Sequence, residues 1–308
     1  MPIVLQETLR AVFYAPFYAA LALDAFRAEG LEVGLVTAPT PSAAARGLAD
    51  GSVDVAWGGP MRVLYTRDRQ PECDLVCFCE VVTRDPFYLV GRTPKRDFRV
   101  SDLAGLRLAS VSEVPTPWLC LQEDLRRAGL EPTTLARVPD RSMPENCQAL
   151  RRGEIDVVQV FEPFVEELIE TGAGYVWSAA ADRGPTSYTT LYAPRALLSA
   201  RRQDCERMVR ALYRTLKWVH AVDASRLAAA IAGYFPTLPQ SRLAKALDRY
   251  KAGGIWGRDP CLPRLGYERL RAGLLTGGLI STAFDYKSVV DNSLAEFVVA
   301  QDPPPLAS

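Results

Sequence analysis

Histidine is nearly absent from this chain: its 308 residues include one, His220. Imidazole is the commonest general acid–base group and a favoured zinc ligand. Its scarcity argues against acid–base and metal chemistry, while cysteine, lysine and carboxylate mechanisms stay open. His220 itself lies in a helical stretch, Leu216–Ala221, and reads as structural or surface-facing. Net charge is missing too. Lys+Arg and Asp+Glu both count 36, so there is no electrostatic argument for nucleic acid or an anionic membrane as partner. Long apolar runs are absent: Ala19–Leu23 is soon interrupted by Asp24 and Arg27, and no membrane insertion is expected. The first residues, Met1–Glu7, have neither the basic nor the apolar region of an export signal. No Gly-x-Ser-x-Gly, phosphate loop or His-Glu-x-x-His occurs. Nothing calls for a cofactor.

Seven cysteines form no framework. Cys73, Cys77 and Cys79 are close together, whereas Cys120, Cys147, Cys205 and Cys261 lie far apart. An odd count in apolar contexts fits buried free thiols and a reducing compartment better than a disulfide scaffold. Cys77 and Cys79 are expected on one side of a strand with Phe78 opposite. Without histidine partners, structural cysteines are expected here rather than a zinc site.

What is present is a duplication. A strand (Ile3, Val4, Leu5) and a helical stretch lead to Glu29-Gly30-Leu31-Glu32-Val33, then Leu48-x-x-Gly51-x-x-Asp54-Val55, ending on Pro60. About a hundred residues later, Leu106 and Leu108 lead to Ala128-Gly129-Leu130-Glu131-Pro132, then Leu150-x-x-Gly153-x-x-Asp156-Val157, ending on Pro163. That period is too long for a solenoid unit and suits a small α/β lobe. Two such lobes predict a cleft, where small ligands bind.

Strand and helix patterns alternate to about Ala193 and helices follow, which predicts an α/β class. Helices are expected at Pro16–Glu29, Pro41–Asp50, Met61–Arg67, Pro117–Ala128, Met143–Arg152 and Pro163–Thr171, several opening on proline. Thr83–Pro86 and Arg183–Thr186 are the crossover candidates. They divide the chain into residues 1–84 with 187–308 as one lobe and 85–186 as the other. The proline-rich tail Gln301–Pro305 is expected to fray.

Several segments are placed at the mouth of the lobes. Phe13 and Tyr14 follow the first strand and either stack a flat ligand or pack the core. Thr40 and Ser42 precede one helix, Ser112 and Thr116 another; their hydroxyls cap helices, with or without an anionic ligand. Trp57-Gly58 ends one strand, with Gln159 to Glu162 as counterpart. Trp57 either stacks ligand or packs, and Glu162 either binds an amine or caps a helix. Arg84 either grips an anion by a bidentate contact or pairs with Asp85 on the surface.

Tyr14-Ala15-Pro16-Phe17-Tyr18-Ala19-Ala20-Leu21 and Phe26-x-x-Glu29-Gly30-Leu31-Glu32-Val33 resemble the start of SsuA-type solute-binding proteins, which serve ABC importers of nitrate, sulfonates or thiamine-pyrimidine precursors. Leu48-x-x-Gly51-x-x-Asp54-Val55, Asp102-Leu103-x-Gly105, Leu150-x-x-Gly153-x-x-Asp156-Val157, Glu162-Pro163 and Met208–His220 extend the resemblance over nearly the whole chain. It implies the type II periplasmic-binding-protein fold, two α/β lobes joined by two crossover segments. The implied cleft is lined around Phe13, Tyr14, Thr40, Ser42, Trp57, Gly58, Ser112, Glu162, Tyr188 and Thr190. It further implies a small organic or anionic ligand, an ABC permease as partner, a monomer and a periplasmic location, although no export signal is seen and a cytoplasmic location stays open. The alternatives are a cytoplasmic enzyme on the same fold (a decarboxylase, dehydratase or precursor-modifying enzyme) or a ligand sensor. A related yeast-type thiamine-pyrimidine synthase uses a histidine and a run of cysteines that this chain does not match.

Overall fold

The computed structural model describes residues 2–40 and 44–307. Its strands in chain order are β1 (Ile3–Glu7), β2 (Val33–Thr37), β3 (Val55–Gly58), β4 (Leu75–Val82), β5 (Tyr88–Gly91), β6 (Arg107–Ala109), β7 (Ala136–Val138), β8 (Val157–Val160), β9 (Tyr175–Ala179) and β10 (Thr189–Pro194). They form two five-stranded sheets, ordered β2-β1-β3-β10-β4 and β7-β6-β8-β5-β9. The two orders correspond strand for strand. In each, the second strand in the order (β1 or β6) is parallel to both neighbours, and a strand that has just crossed from the other sheet adds antiparallel to the third. The α/β class and the two-lobed fold are therefore both present.

The duplicated motif owes its residues to local chemistry. Asp54 Oδ2 accepts the amide of Val4 at 2.8 Å, and Asp156 Oδ2 accepts that of Arg107 at 2.9 Å. Each aspartate also donates its own amide back to the same residue, clamping the starts of β1 and β6. Gly51 and Gly153 lie at φ of +74° and +72° just past a helix. A β-carbon is disfavoured in that left-handed turn, so glycine recurs there. Leu48 and Leu150 are the buried anchors of those helices.

Some local expectations change. The stretch Pro16–Glu29 is two helices, Ala15–Ala22 and Ala25–Ala28, because Asp24 adopts a left-handed conformation between them (φ 51°). Cys77 and Cys79 do not share a side. Leu191 and Tyr192 of β10 pair with Cys79 and Cys77, leaving Phe78 as an extra residue. That bulge turns Cys77 into one core cluster and Cys79 into another. The tail is held rather than frayed: Leu306 is buried, and Arg214 Nε donates to Pro304 O at 3.0 Å. All seven cysteines are free thiols, five of them buried. His220 lies in the helix Arg202–Ala221, with Nε2 2.9 Å from Gly257 O.

Glu80 is a carboxyl buried in the first sheet. It is fully buried on β4, with Ser187 and Thr83 as its nearest hydroxyls, yet Oε1 has no well-formed hydrogen bond among the described residues. Burial, with a smaller push from Asp259, raises its carboxyl from 4.5 to about 8. Between those values the folded state keeps a proton that the unfolded chain has released, so stability falls as pH rises through the window. Glu80→Gln is accordingly expected to melt above the parent at pH values over 8 and level with it near pH 4. A parent that melts higher in alkali would contradict this account.

Candidate functional site

β1, β3, β6 and β8 all run toward one interface between the sheets, and β5 and β10 enter from it. Carboxyl ends of parallel strands from both lobes therefore face each other, the usual position for a ligand in open α/β sheets. A cavity of about 40 Å³ lies there, lined by Thr8, Tyr14, Gly59, Arg62, Thr116 and Tyr188, with Leu9, Phe13, Met61, Val114 and Phe161 closing it. It shares Leu9, Val114 and Phe161 with an outer groove of about 480 Å³ whose walls are mostly apolar: Val12, Met143, Pro144, Phe164 and Phe235, with Arg10 and Glu113 at its edge.

A polar cluster at the end of β1 stands next to the inner chamber, and an aromatic wall closes it. Glu7, fully buried at the end of β1, accepts Tyr18 Oη and Thr37 Oγ1 at 2.7 Å each and Arg10 Nε at 3.0 Å. Arg10 is held further by Tyr234 O at 3.2 Å and stacks over the Tyr18 and Tyr234 rings. Phe13 meets Phe161 of the other lobe edge-on, with centroids 5.3 Å apart, and Tyr188 at 5.8 Å. Trp256 Nε1 donates to Phe13 O at 2.8 Å, fixing that loop. Burial pushes the Tyr14 hydroxyl up to about 12, so it serves as a neutral hydrogen-bonding group; Thr8 and Thr189 lie beside it.

Arg62 supplies the charge. It sits in the first turn of the ten-residue helix Pro60–Arg69 and is half-buried; among the described residues its guanidinium has no carboxylate partner. Thr116 opens the helix Thr116–Arg127 from the opposite lobe. The positive ends of two helices and one guanidinium thus meet at the chamber, an arrangement that favours an anion.

Of the residues expected at the site, Phe13, Tyr14, Thr116 and Tyr188 line this chamber. Gly58 lies directly behind it: a β-carbon there would come within 3.3 Å of both Thr8 and Tyr192. The others are elsewhere. Trp57 is fully buried and stacks on Phe17 with centroids 4.5 Å apart, so it packs the core. Thr40 is exposed in the loop after β2, and Ser42 lies outside the described residues. Ser112 is exposed, while its neighbours Glu113 and Val114 reach the cleft. Thr190 Oγ1 donates to Cys79 O at 2.9 Å within the sheet. Arg84 reaches Ala181 O on the other crossover at 3.4 Å. Asp85 pairs not with Arg84 but with Arg183, at 3.1 Å. Gln159 faces away from the cleft, donating to Pro117 O at 3.0 Å.

Glu162 is buried in an ion pair with Arg249 and accepts the Glu166 amide at 3.0 Å. Arg249 also binds Glu166 at 2.8 Å; Lys245 reaches Glu166 at 3.2 Å and Glu170 at 3.0 Å, and Arg242 reaches Glu170 at 2.8 Å. Cations at 242, 245 and 249 share one face of the helix Gln240–Ala252, and carboxylates at 166 and 170 share one face of the helix Phe164–Glu170. This row of charges ties the C-terminal helices to the second sheet's lobe beside the cleft.

Arg62, Leu9 and Phe161 were not singled out from sequence. Arg62 carried a usable signal: a cation in the first turn of a helix that starts at the carboxyl end of a parallel strand. Phe161 is adjacent to the more conspicuous Glu162 and gave none.

The model of the NMT1-like family matches residues 9–233. The Bacillus subtilis (strain 168) protein described as "Putative binding protein YtlA" is 23% identical over 297 residues, 96% of this chain and 89% of its own. Among solved structures, the periplasmic aliphatic sulphonate binding protein SsuA from Escherichia coli is 16% identical, with 93% of this chain and 95% of its own covered at a TM-score of 0.74. The desulfurization enzyme DSZB is 14% identical, with 98% and 100% covered at a TM-score of 0.66. These likenesses are of fold, and the fold carries a binding protein and an enzyme alike.

Proposed function

The chain belongs to the NMT1-like family, and from that premise we propose that it is a solute-binding protein whose lobes close on a small organic anion and present it to an ABC permease. The observation that carries this reading is Arg62, a half-buried guanidinium lining a closed chamber with no carboxylate partner among the described residues. The chamber has room for roughly three water-sized groups, the size of a carboxylate, nitrate or sulfonate head. The adjoining groove, walled by Val12, Met143, Phe164 and Phe235, suits an apolar body. YtlA is described as a binding protein and the SsuA from Escherichia coli as an aliphatic sulphonate binding protein, which supports the class. No cysteine or histidine lines either chamber among the described residues, which favours capture over turnover.

In this reading the lobes are residues 1–84 with 187–308 and residues 85–186, and Thr83–Pro86 and Arg183–Thr186 act as the hinge. The protein acts as a monomer in the periplasm. No helix among the described residues is long and apolar enough to cross a membrane, so passage through the bilayer belongs to the permease.

Calorimetric titration of the full chain with benzenesulfonate, benzoate and nitrate tests the proposal. At least one should bind saturably and be recovered unchanged. Arg62→Ala should weaken that anion by about 10–100-fold, the scale of a charged hydrogen bond in a closed site. Chemical conversion of the bound anion, or undiminished affinity in the variant, would overturn it.

A further inference from the structure

A second cavity, of about 440 Å³, lies on the other face of the second sheet and shares no lining residue with the cleft. It sits between the helix Thr116–Arg127, strands β5 and β9, and the start of the second crossover at Arg183, with apolar walls from Phe87, Leu89, Val100, Leu121 and Ala179. Gln159 lines it and is 3% exposed. Its Nε2 donates to Pro117 O at 3.0 Å, which fixes the orientation of the amide because only its nitrogen end can donate to a carbonyl oxygen. Oε1 is left without a partner among the described residues. A buried acceptor in that state calls for a donor.

The charged lining residues tell the sign of the occupant. Arg183 is engaged by Asp124 at 2.5 Å and by Asp85 at 3.1 Å, and Arg127 by Glu123 at 3.1 Å. Asp182, exposed at the rim, has no ion-pair partner among the described residues. Both cations are therefore neutralised and one carboxylate is not. We propose that this cavity is a second ligand site, which takes a small amine with an apolar body, its N–H groups directed to Gln159 Oε1 and the Asp182 carboxylate. The site stands independently of the anion reading of the cleft, since the two have opposite charge preference and no residue in common.

Calorimetric titration of the full chain with 2-phenylethylamine, and with phenylacetate as its anionic counterpart, tests the assignment. The amine should bind with one site per chain and phenylacetate should not compete with it. Gln159→Leu and Asp182→Asn should each weaken the amine about tenfold, and Ala128→Trp, placed on the exposed rim to fill the mouth, should abolish binding. Circular dichroism would confirm that each variant is folded; the exposed positions 128 and 182 keep the test valid if Gln159→Leu is not. Arg62→Ala should leave amine binding intact. No saturable binding of the amine, full affinity in Ala128→Trp, or loss of amine binding in Arg62→Ala would each overturn the proposal.

Discussion

Arg249→Ala is expected to lower the free energy of unfolding by about 3–5 kcal/mol, the range found when one partner of a buried ion pair is removed. The guanidinium serves two carboxylates that have almost no access to water, Glu162 and Glu166. Lys245 backs up Glu166 at 3.2 Å, but Glu162 would retain only the Glu166 amide. Burial already pushes the Glu162 carboxyl up against the pull of Arg249, so without the cation it takes a proton instead of staying charged. The loss should then be greatest above neutral pH and smaller in acid, where a neutral Glu162 needs no cation. Denaturant unfolding of parent and variant at pH 5 and pH 8, values chosen to bracket neutrality, checks both points. Equal stability at both pH values would strip the ion pair of any structural role. Anion affinity should fall in the same variant, because Arg249 ties the helix Gln240–Ala252 to the lobe that closes the cleft. Added salt should weaken the outer pairs of Lys245 and Arg242, which are more exposed, before the inner one.

Trp57→Ala is expected to cost a further large share of stability, about 3–5 kcal/mol as for other buried aromatic deletions. The indole lies flat on Phe17 (interplanar angle 10°) and meets Tyr14 and Tyr18 edge-on at 5.9 and 5.7 Å. Removing it opens a cavity under the strand that leads into Gly58 and Gly59, with neighbours too constrained to collapse into it. The site variant Arg62→Ala and the core variant Trp57→Ala should therefore separate. Arg62→Ala lowers anion affinity and leaves the melting temperature near that of the parent, whereas Trp57→Ala lowers the melting temperature first. A Trp57→Ala protein as stable as the parent but unable to bind anion would put the ring in the cleft after all.

The expectations that succeeded rest on short-range rules. Gly51 and Gly153 end helices, and Asp54 and Asp156 start strands; each acts on residues nearby in the sheet or chain, so the repeat is readable in one dimension. Phe13 and Tyr14 could be placed at the mouth because the loop after a first parallel strand always lies at the carboxyl edge. Where the outcome depends on a partner distant in sequence, the neighbouring residues leave alternatives open. Glu162 does cap the next helix through the Glu166 amide, but the cation that balances its buried charge, Arg249, lies 87 residues away. Asp85 was decided by Arg183 rather than its neighbour Arg84. Cys77 and Cys79 were separated by a bulge that exists only because β10 pairs there.

The amino-acid order alone determined that the chain is a duplicated α/β protein with two crossovers, because hydrophobic period, turn glycines and capping aspartates act locally. Which aromatic lines the chamber and which the core, which carboxylate is paired and which arginine has no carboxylate partner among the described residues were decided only on folding. Those choices depend on burial and on charges brought together from opposite ends of the chain, and neither is a property of any short segment.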